Sequence, residues 1–310
     1  MKKYLLTRIA QAIGVVFAVS LITFFILNII PGNPVQLMLG DFATPEVIDR
    51  VTHEMGLDKP VVFRYFSWLG NMLRGNFGVS YFQNRPVIEL LGQAFAVTAR
   101  LALMSYVLAM FFGILFGIIA AVWHNKFLDK LLMVLSIAGI SAPNFWIGIL
   151  LQIIFGLRLR WFPISGVGSF AAYILPTIAL STRYAASISR ITRTSMLEIV
   201  KQDYIRTARA KGLPAWKVTM RHTFRNALIP IVTIAGSDLS TIFTGSMLIE
   251  SVFSIPGIGK LLIDCIGNRD LPVIEGGVMY IAVICVLVYL LVDLLYAVID
   301  PRIRLGGENE

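Results

Sequence analysis

Lys201–Pro230 reads KQDYIRTARAKGLPAWKVTMRHTFRNALIP. Within it Lys201, Arg206, Arg209, Lys211, Lys217, Arg221 and Arg225 stand against one acid, Asp203. Long apolar segments flank the stretch on both sides. It is too charged to enter a bilayer, where a Lys or Arg at mid-depth costs several kcal/mol. It is too basic for an outside loop of a chain that obeys the positive-inside rule. It is therefore expected to be a cytoplasmic loop, at about 197–226. It also reads as folded. Asp203 suits an N-cap, Tyr204–Lys211 are good helix formers, and Gly212 is a natural helix stop. Pro214 then suits the first turn of a second helix, Ala215 to about Phe224. In that helix Trp216, Met220 and Phe224 recur every four residues as an apolar stripe with basic flanks. Such a stripe covers either the chain's own helices or a partner protein. The plain alternative is a solvated loop that acts only as a topology signal.

Composition agrees with a membrane setting. The chain is 57% hydrophobic with mean hydropathy +0.77. Charged residues are 15%, against roughly 25% in soluble domains. The net charge of +9 fits cations held on the cytoplasmic side better than nucleic-acid binding. Cys265 and Cys285 are the only cysteines. Cys285 lies in an apolar segment, so a disulfide is not expected, and there is no metal-ligand spacing. His53, His124 and His222 are scattered and read as structural.

Taken in order, Ile9–Ile30 is long enough to span. It ends at Pro31-Gly32-Asn33-Pro34 without a small-residue cleavage site, so it is expected to stay as helix 1 with its N-terminus inside. A polar outside segment follows, about 31–95. It holds three amphipathic candidates: one from Thr44-Pro45-Glu46 to Gly56, one at Pro60–Leu73 closed by Gly75, and one at Pro86–Phe95. They would contact a substrate-delivering protein or pack as a rigid lid. Val97–Val122 is helix 2. Leu131–Leu157 is helix 3, interrupted at Ser141-Ala142-Pro143-Asn144, where Pro143 kinks or breaks it. Ala172 to about Met196 is helix 4, Ala227 to Glu250 helix 5, and Gly277–Ile299 helix 6. Arg302 and Arg304 then put the C-terminus inside.

Helix 4 is not uniformly apolar. Arg190 and Arg193 sit near its inner end and can snorkel. Arg183 is deeper and must face protein or water. Helix 5 offers Asp238 at similar depth, beside Ser237, Ser240, Thr241 and Thr244. A pair Arg183–Asp238, with Ser237, Thr241 and Pro143 nearby, would line or gate a pathway, or would simply be a salt bridge holding two helices. Pro256-Gly257-Ile258-Gly259-Lys260 is not a phosphate loop. The first Gly is missing at Ser254, and Leu261 stands where Ser or Thr is required. The chain is thus not expected to bind ATP. Motifs of a hydrolase elbow or a zinc peptidase are absent too.

DYIRTARAKGL followed by RHTFRNALIP resembles the permease subunits of ABC importers, specifically a B-type subunit of the dipeptide/oligopeptide/nickel family. The general loop of such permeases is Glu-Ala-Ala, three residues, then Gly. Here the second Ala (Ala208) and Gly212 are kept, and Arg206 and Thr207 replace the first two positions. IPGNP, GLDKP, GNFGVS and LVDLLYAVIDPRIR are similar to the same family, so the resemblance runs from first helix to last. It implies an all-α integral membrane protein of six transmembrane helices with the type I importer permease fold, as one permease domain over 1–310. It implies that the paired short helices dock on an ATPase, through Asp203, Tyr204, Ala208, Ala210, Gly212, Leu213, Pro214, Trp216 and Arg221. It implies no catalysis and no cofactor here, ATP and Mg being bound by partner subunits. The implied partners are a second permease subunit, two ATP-binding subunits, an extracytoplasmic solute-binding protein and membrane lipid. The implied site is the cytoplasmic membrane of a bacterium or archaeon, with both termini cytoplasmic. The cargo class is dipeptides or oligopeptides, with nickel or another metal chelate and glutathione-like solutes as alternatives. A different class, an ion-gradient carrier, would use Arg183 and Asp238 as coupling charges; no matching repeats are evident for it.

Overall fold

A computed structural model describes residues 2–29, 35, 44–54 and 56–299. The expectations placed on Ile30–Pro34 and on Asp300–Arg304 lie outside these. The regular elements among the described residues are all helices: α1 (Lys2–Ile29), α2 (Pro45–Glu54), α3 (Val61–Leu73), α4 (Val87–Val122), α5 (Phe127–Ser141), α6 (Asn144–Leu151, continued as a π-helix over Gln152–Arg158), α7 (Phe170–Val200), α8 (Asp203–Ala210), α9 (Ala215–Lys217, continued as a π-helix over Val218–Phe224), α10 (Arg225–Val252), α11 (Ile258–Asn268) and α12 (Leu271–Ile299).

Two of the expected breaks do not exist. Pro86–Phe95 is not a separate amphipathic helix; it is the start of α4, which runs unbroken for 36 residues, about 54 Å at 1.5 Å per residue. Nothing between Ala94 and Arg100 is a Gly or Pro, so no residue stops the helix. Likewise Ala215 to Phe224 and the spanning helix after it form one continuous rod through the π-helical stretch into α10. The break at Pro143 is real. Ala142, before the proline, is extended (φ −79°, ψ 134°), because Pro Cδ disfavours helical geometry in the preceding residue. The chain turns by 106° there.

By length and composition alone, four helices among the described residues can cross a membrane, or five if the bent pair α5–α6 is one span. α7 falls short because Arg183, Arg190, Arg193 and Glu198 interrupt its apolar run. It spans only with those charges turned to protein or water.

The chain divides into two compact units. The first is Met1–Ala96 with Lys260–Leu290. Its core is Val87, Leu90, Leu91, Cys265, Val273 and Ile274. Asp270, fully buried, organises its loop. The Ser80 hydroxyl donates to Asp270 Oδ2 at 2.5 Å and the Tyr81 N–H to Oδ1 at 3.1 Å. Burial, and then the nearby Glu275 and Asp270 charges, push the Tyr81 phenol up to about 12. Neither Cys265 nor Cys285 forms a disulfide.

The second unit is Val97–Gly259 with Leu291–Glu310. Leu101, Ala109, Leu180, Ile188, Ile231 and Ile249 are among its buried core residues, drawn from α4, α7 and α10. α4 approaches α7 at Gly113 and Gly117, one turn apart. A Cβ on Gly113 would stand 2.9 Å from the Ala185 carbonyl, and one on Gly117 2.7 Å from the Ser189 carbonyl. Only hydrogen fits at such a crossing. Glu250, also buried, accepts from the Thr98 hydroxyl at 2.7 Å and from the Gly259 N–H at 2.8 Å, which ties the entry of α11. Gln152 donates to the carbonyls of Ile164 (2.7 Å) and Val252 (3.0 Å).

Candidate functional site

The basic stretch folds as a helical hairpin, α8 and α9, with its own small core. Ile205, Ala208 and Val218 are buried, with Ile199 and Leu213 packed on them. Asp203 is the first helical residue of α8; Gln202 occupies the N-cap position instead. The acid in the first turn still complements the helix dipole. α8 stops at Gly212, whose φ is +75°. The Gly212 N–H donates to Arg209 O at 2.9 Å and the Leu213 N–H to Ala208 O at 3.4 Å. This doubled closure needs a left-handed residue, which Gly supplies without a Cβ clash. Leu213 and Ala208 then meet in the hairpin core. Pro214 starts the next helix, its carbonyl accepting from the N–H groups of Lys217 (2.9 Å) and Val218 (3.1 Å).

The apolar stripe divides between two tasks. Phe224 packs on the unit's main core. Trp216 is 70% exposed and Met220 44%. Around them, Asp203, Tyr204, Ala210, Pro214 and Arg221 are exposed as well. The result is a rigid basic knob with an indole at its tip.

The deeper charges are arranged differently from the sequence expectation. Arg183 and Asp238 lie within electrostatic reach of one another, but they are not within ion-pair distance. Tyr184, next to Arg183 on α7, is buried. Arg183, Ser237 and Thr241 are exposed on this chain. Oδ2 of Asp238 is buried without a hydrogen-bond partner. The Thr241 hydroxyl donates to Asp238 O at 3.0 Å. Pro143 is at the bend between α5 and α6.

Arg193 does not snorkel. Its Nε donates to Asp129 Oδ1 at 2.5 Å and its terminal nitrogen to Oδ2 at 2.8 Å. The Asp129 side chain is 3% exposed, and the Asn125 N–H also donates to it at 2.9 Å. His124 completes the group, Nδ1 at 3.4 Å from Asp129. This clasp between α5 and α7 was not read from sequence. The crossing at Gly113 and Gly117 was missed too, although Gly-x-x-x-Gly inside an apolar span is a readable packing signal.

Apolar spans, a sharply bent helix pair and a folded basic hairpin define a multi-pass membrane protein. Residues 113–305 match the family described as binding-protein-dependent transport system inner membrane component. Residues 1–102 match the N-terminal domain of the same kind of component. The chain belongs to this family, as a permease subunit of an ABC importer. It is 38% identical over 312 residues to a putative peptide transport system permease protein of Brucella abortus, covering 98% of this chain and 99% of that one. It is 39% identical over 304 residues to the glutathione transport system permease protein GsiC of Escherichia coli, with 98% and 99% covered. The crystal structure of an amino acid ABC transporter with histidines aligns at TM-score 0.50 and 18% identity, over 69% of this chain and 94% of that one. That likeness is one of fold.

Proposed function

We propose that this chain forms half of the pathway of an importer for dipeptides or oligopeptides and passes to it the work of separate ATPase subunits. The observation that carries the coupling role is the exposed Trp216 on a hairpin with its own core. A rigid lever transmits force, and an indole seated in a partner's groove is the type of anchor that dominates interface energy. The partners in this reading are a second permease subunit, two ATP-binding subunits that hold ATP and Mg, and an extracytoplasmic binding protein. The chain itself does no chemistry. The hairpin and both termini lie on the cytoplasmic side of the cytoplasmic membrane, as the excess of Lys and Arg in the hairpin supports. ATP-driven closure moves the hairpin, and the bundle changes between outward- and inward-open states. The cargo must bind those states differently for this linkage to act. The peptide assignment draws on the name of the Brucella relative, a putative peptide transport system permease protein, and glutathione, named for the Escherichia relative's transport system, is the second reading.

Trp216→Ala is expected to weaken ATPase association by about 2 kcal/mol or more, roughly 30-fold in affinity, and to abolish ATP-driven uptake while the chain stays folded. Co-purification and uptake in reconstituted vesicles measure this. Unchanged ATPase affinity would count against the coupling role.

Arg183 and Asp238 are proposed to face the pathway. Arg183, exposed at spanning depth and outside ion-pair distance of Asp238, needs water or a charged solute beside it, while Asp238 stands in its electrostatic reach with Oδ2 buried. Arg183→Gln is therefore expected to lower uptake severely without lowering ATPase association. Wild-type uptake in that variant would remove Arg183 from the pathway.

A further inference from the structure

α3 has three faces rather than two. At about 100° per residue, Tyr65, Trp68 and Met72 fall on one face. Val62, Phe66 and Leu73, with Phe63 at the margin, fall on a second. Ser67 and Asn71 fall on a third. The first face packs on α1 within the same unit. Tyr65 is buried, its hydroxyl is 2.8 Å from Ser20 Oγ, and its ring stacks on Phe25 with centroids 6.1 Å apart. Phe24 meets both Tyr65 (5.4 Å) and Trp68 (5.5 Å). The second face is bare: Val62 is 62% exposed, Phe66 62%, Phe63 59% and Leu73 81%. The third face is polar and exposed.

A helix docked on a folded body in water needs only an inward face and a polar outward one. A separate apolar stripe beside them needs a cover, either lipid or another protein. The neighbouring surface says which. Phe25, which stacks on Tyr65, is itself exposed, as are Ile22 and Ile26 beside it, near the end of the span of α1. That surface belongs to a candidate membrane span, and Phe25 links it to α3 through the Tyr65 ring. Cations mark both ends of the stripe: Lys59 Nζ sits 5.5 Å from the Phe63 ring centroid, and Arg74 follows Leu73, exposed. Long basic side chains beside buried aromatics place their charges at headgroup level.

We propose that α3 is an interfacial helix, lying in the membrane leaflet reached by the C-terminal end of α1. Val62, Phe66 and Leu73 enter the acyl boundary, and Ser67 and Asn71 face water. The helix thus straps the unit to the bilayer surface, and this face is not a docking site for a delivering protein or for the second permease. The inference is independent of cargo and of the coupling role.

The test is depth-dependent quenching. Phe66→Cys and, separately, Val62→Cys and Asn71→Cys are labelled with bimane in the full chain assembled with its transporter partners. Each sample is placed in nanodiscs of phosphatidylcholine with or without brominated acyl chains, and identically treated wild type gives the background from Cys285. Brominated lipid is expected to quench most of the fluorescence at positions 62 and 66 and little at 71. Equal quenching at all three positions overturns the proposal, because the helix would then be immersed rather than interfacial. Absence of quenching at 62 and 66 also overturns it, because the stripe would then be covered by something other than lipid.

Discussion

Gly117→Leu is expected to prevent stable folding of the transmembrane bundle, at a cost upward of about 3 kcal/mol. The crossing of α4 and α7 leaves no room for a Cβ at this position. Its nearest neighbours include the Ser189 carbonyl, 2.7 Å from where that atom would stand, with the Thr192 side chain nearby. A backbone carbonyl cannot rotate aside as a long side chain can, so the helices must separate. In lipid that separation is costly in a particular way. The interface gains little from hydrophobic expulsion, since acyl chains are as apolar as Leu, and depends on close van der Waals contact between backbones. Even Gly117→Ala should lower the unfolding midpoint of the purified chain in detergent. Gly92, on the same helix, meets nothing within 4 Å, and Gly92→Ala should be neutral or slightly stabilising by helix propensity. A thermal scan of the three variants separates crowding at the crossing from a general effect of removing glycine. Equal midpoints for Gly117→Ala and Gly92→Ala would refute the close-crossing account.

Arg193→Ala should cost about 3–5 kcal/mol, because it leaves a buried carboxylate without its cation. The Asp129 side chain is 3% exposed and has no aqueous refuge. The Asn125 N–H and the His124 imidazole remain beside it, but neither carries the fixed charge of the guanidinium. Arg193→Lys should recover only part of the loss, since an ammonium cannot reproduce the two-point contact of the guanidinium. Replacing both partners by apolar residues, Asp129→Leu with Arg193→Met, should be milder than the single Arg193→Ala, because no charge is left stranded. Thermal unfolding of the three variants gives the order, and a double variant less stable than Arg193→Ala would show that the clasp is not primarily electrostatic. The position matters for coupling as well. Arg193 lies on α7 two turns before the hairpin, so the clasp fixes the helix from which the hairpin projects.

Much of the site was legible in residue order. The seven cations against Asp203, the stop at Gly212 and the start at Pro214 are local signals, and local backbone chemistry acts on them the same way in any tertiary setting. The stripe of Trp216 and Met220 was legible too, though its division was not: Phe224 turned inward because the π-helical stretch carries α9 directly into α10. The Arg183–Asp238 contact was over-read. Two opposite charges at equal depth need not touch when water or solute can serve each of them. The clasp of Asp129, Asn125, Arg193 and His124 was under-read, since it joins residues 64 and 69 positions apart.

Composition and periodicity by themselves determined that the chain is helical, membrane-spanning and basic on one face, because bilayer thickness and charge desolvation constrain sequence residue by residue. They also placed the hairpin and the break at Pro143, where glycine and proline restrict the backbone locally. Only tertiary structure decided which glycines mark a helix crossing, which charges pair and which apolar face of α3 stays bare. Those depend on what lies opposite a residue in space, and a one-dimensional pattern holds no record of the neighbour.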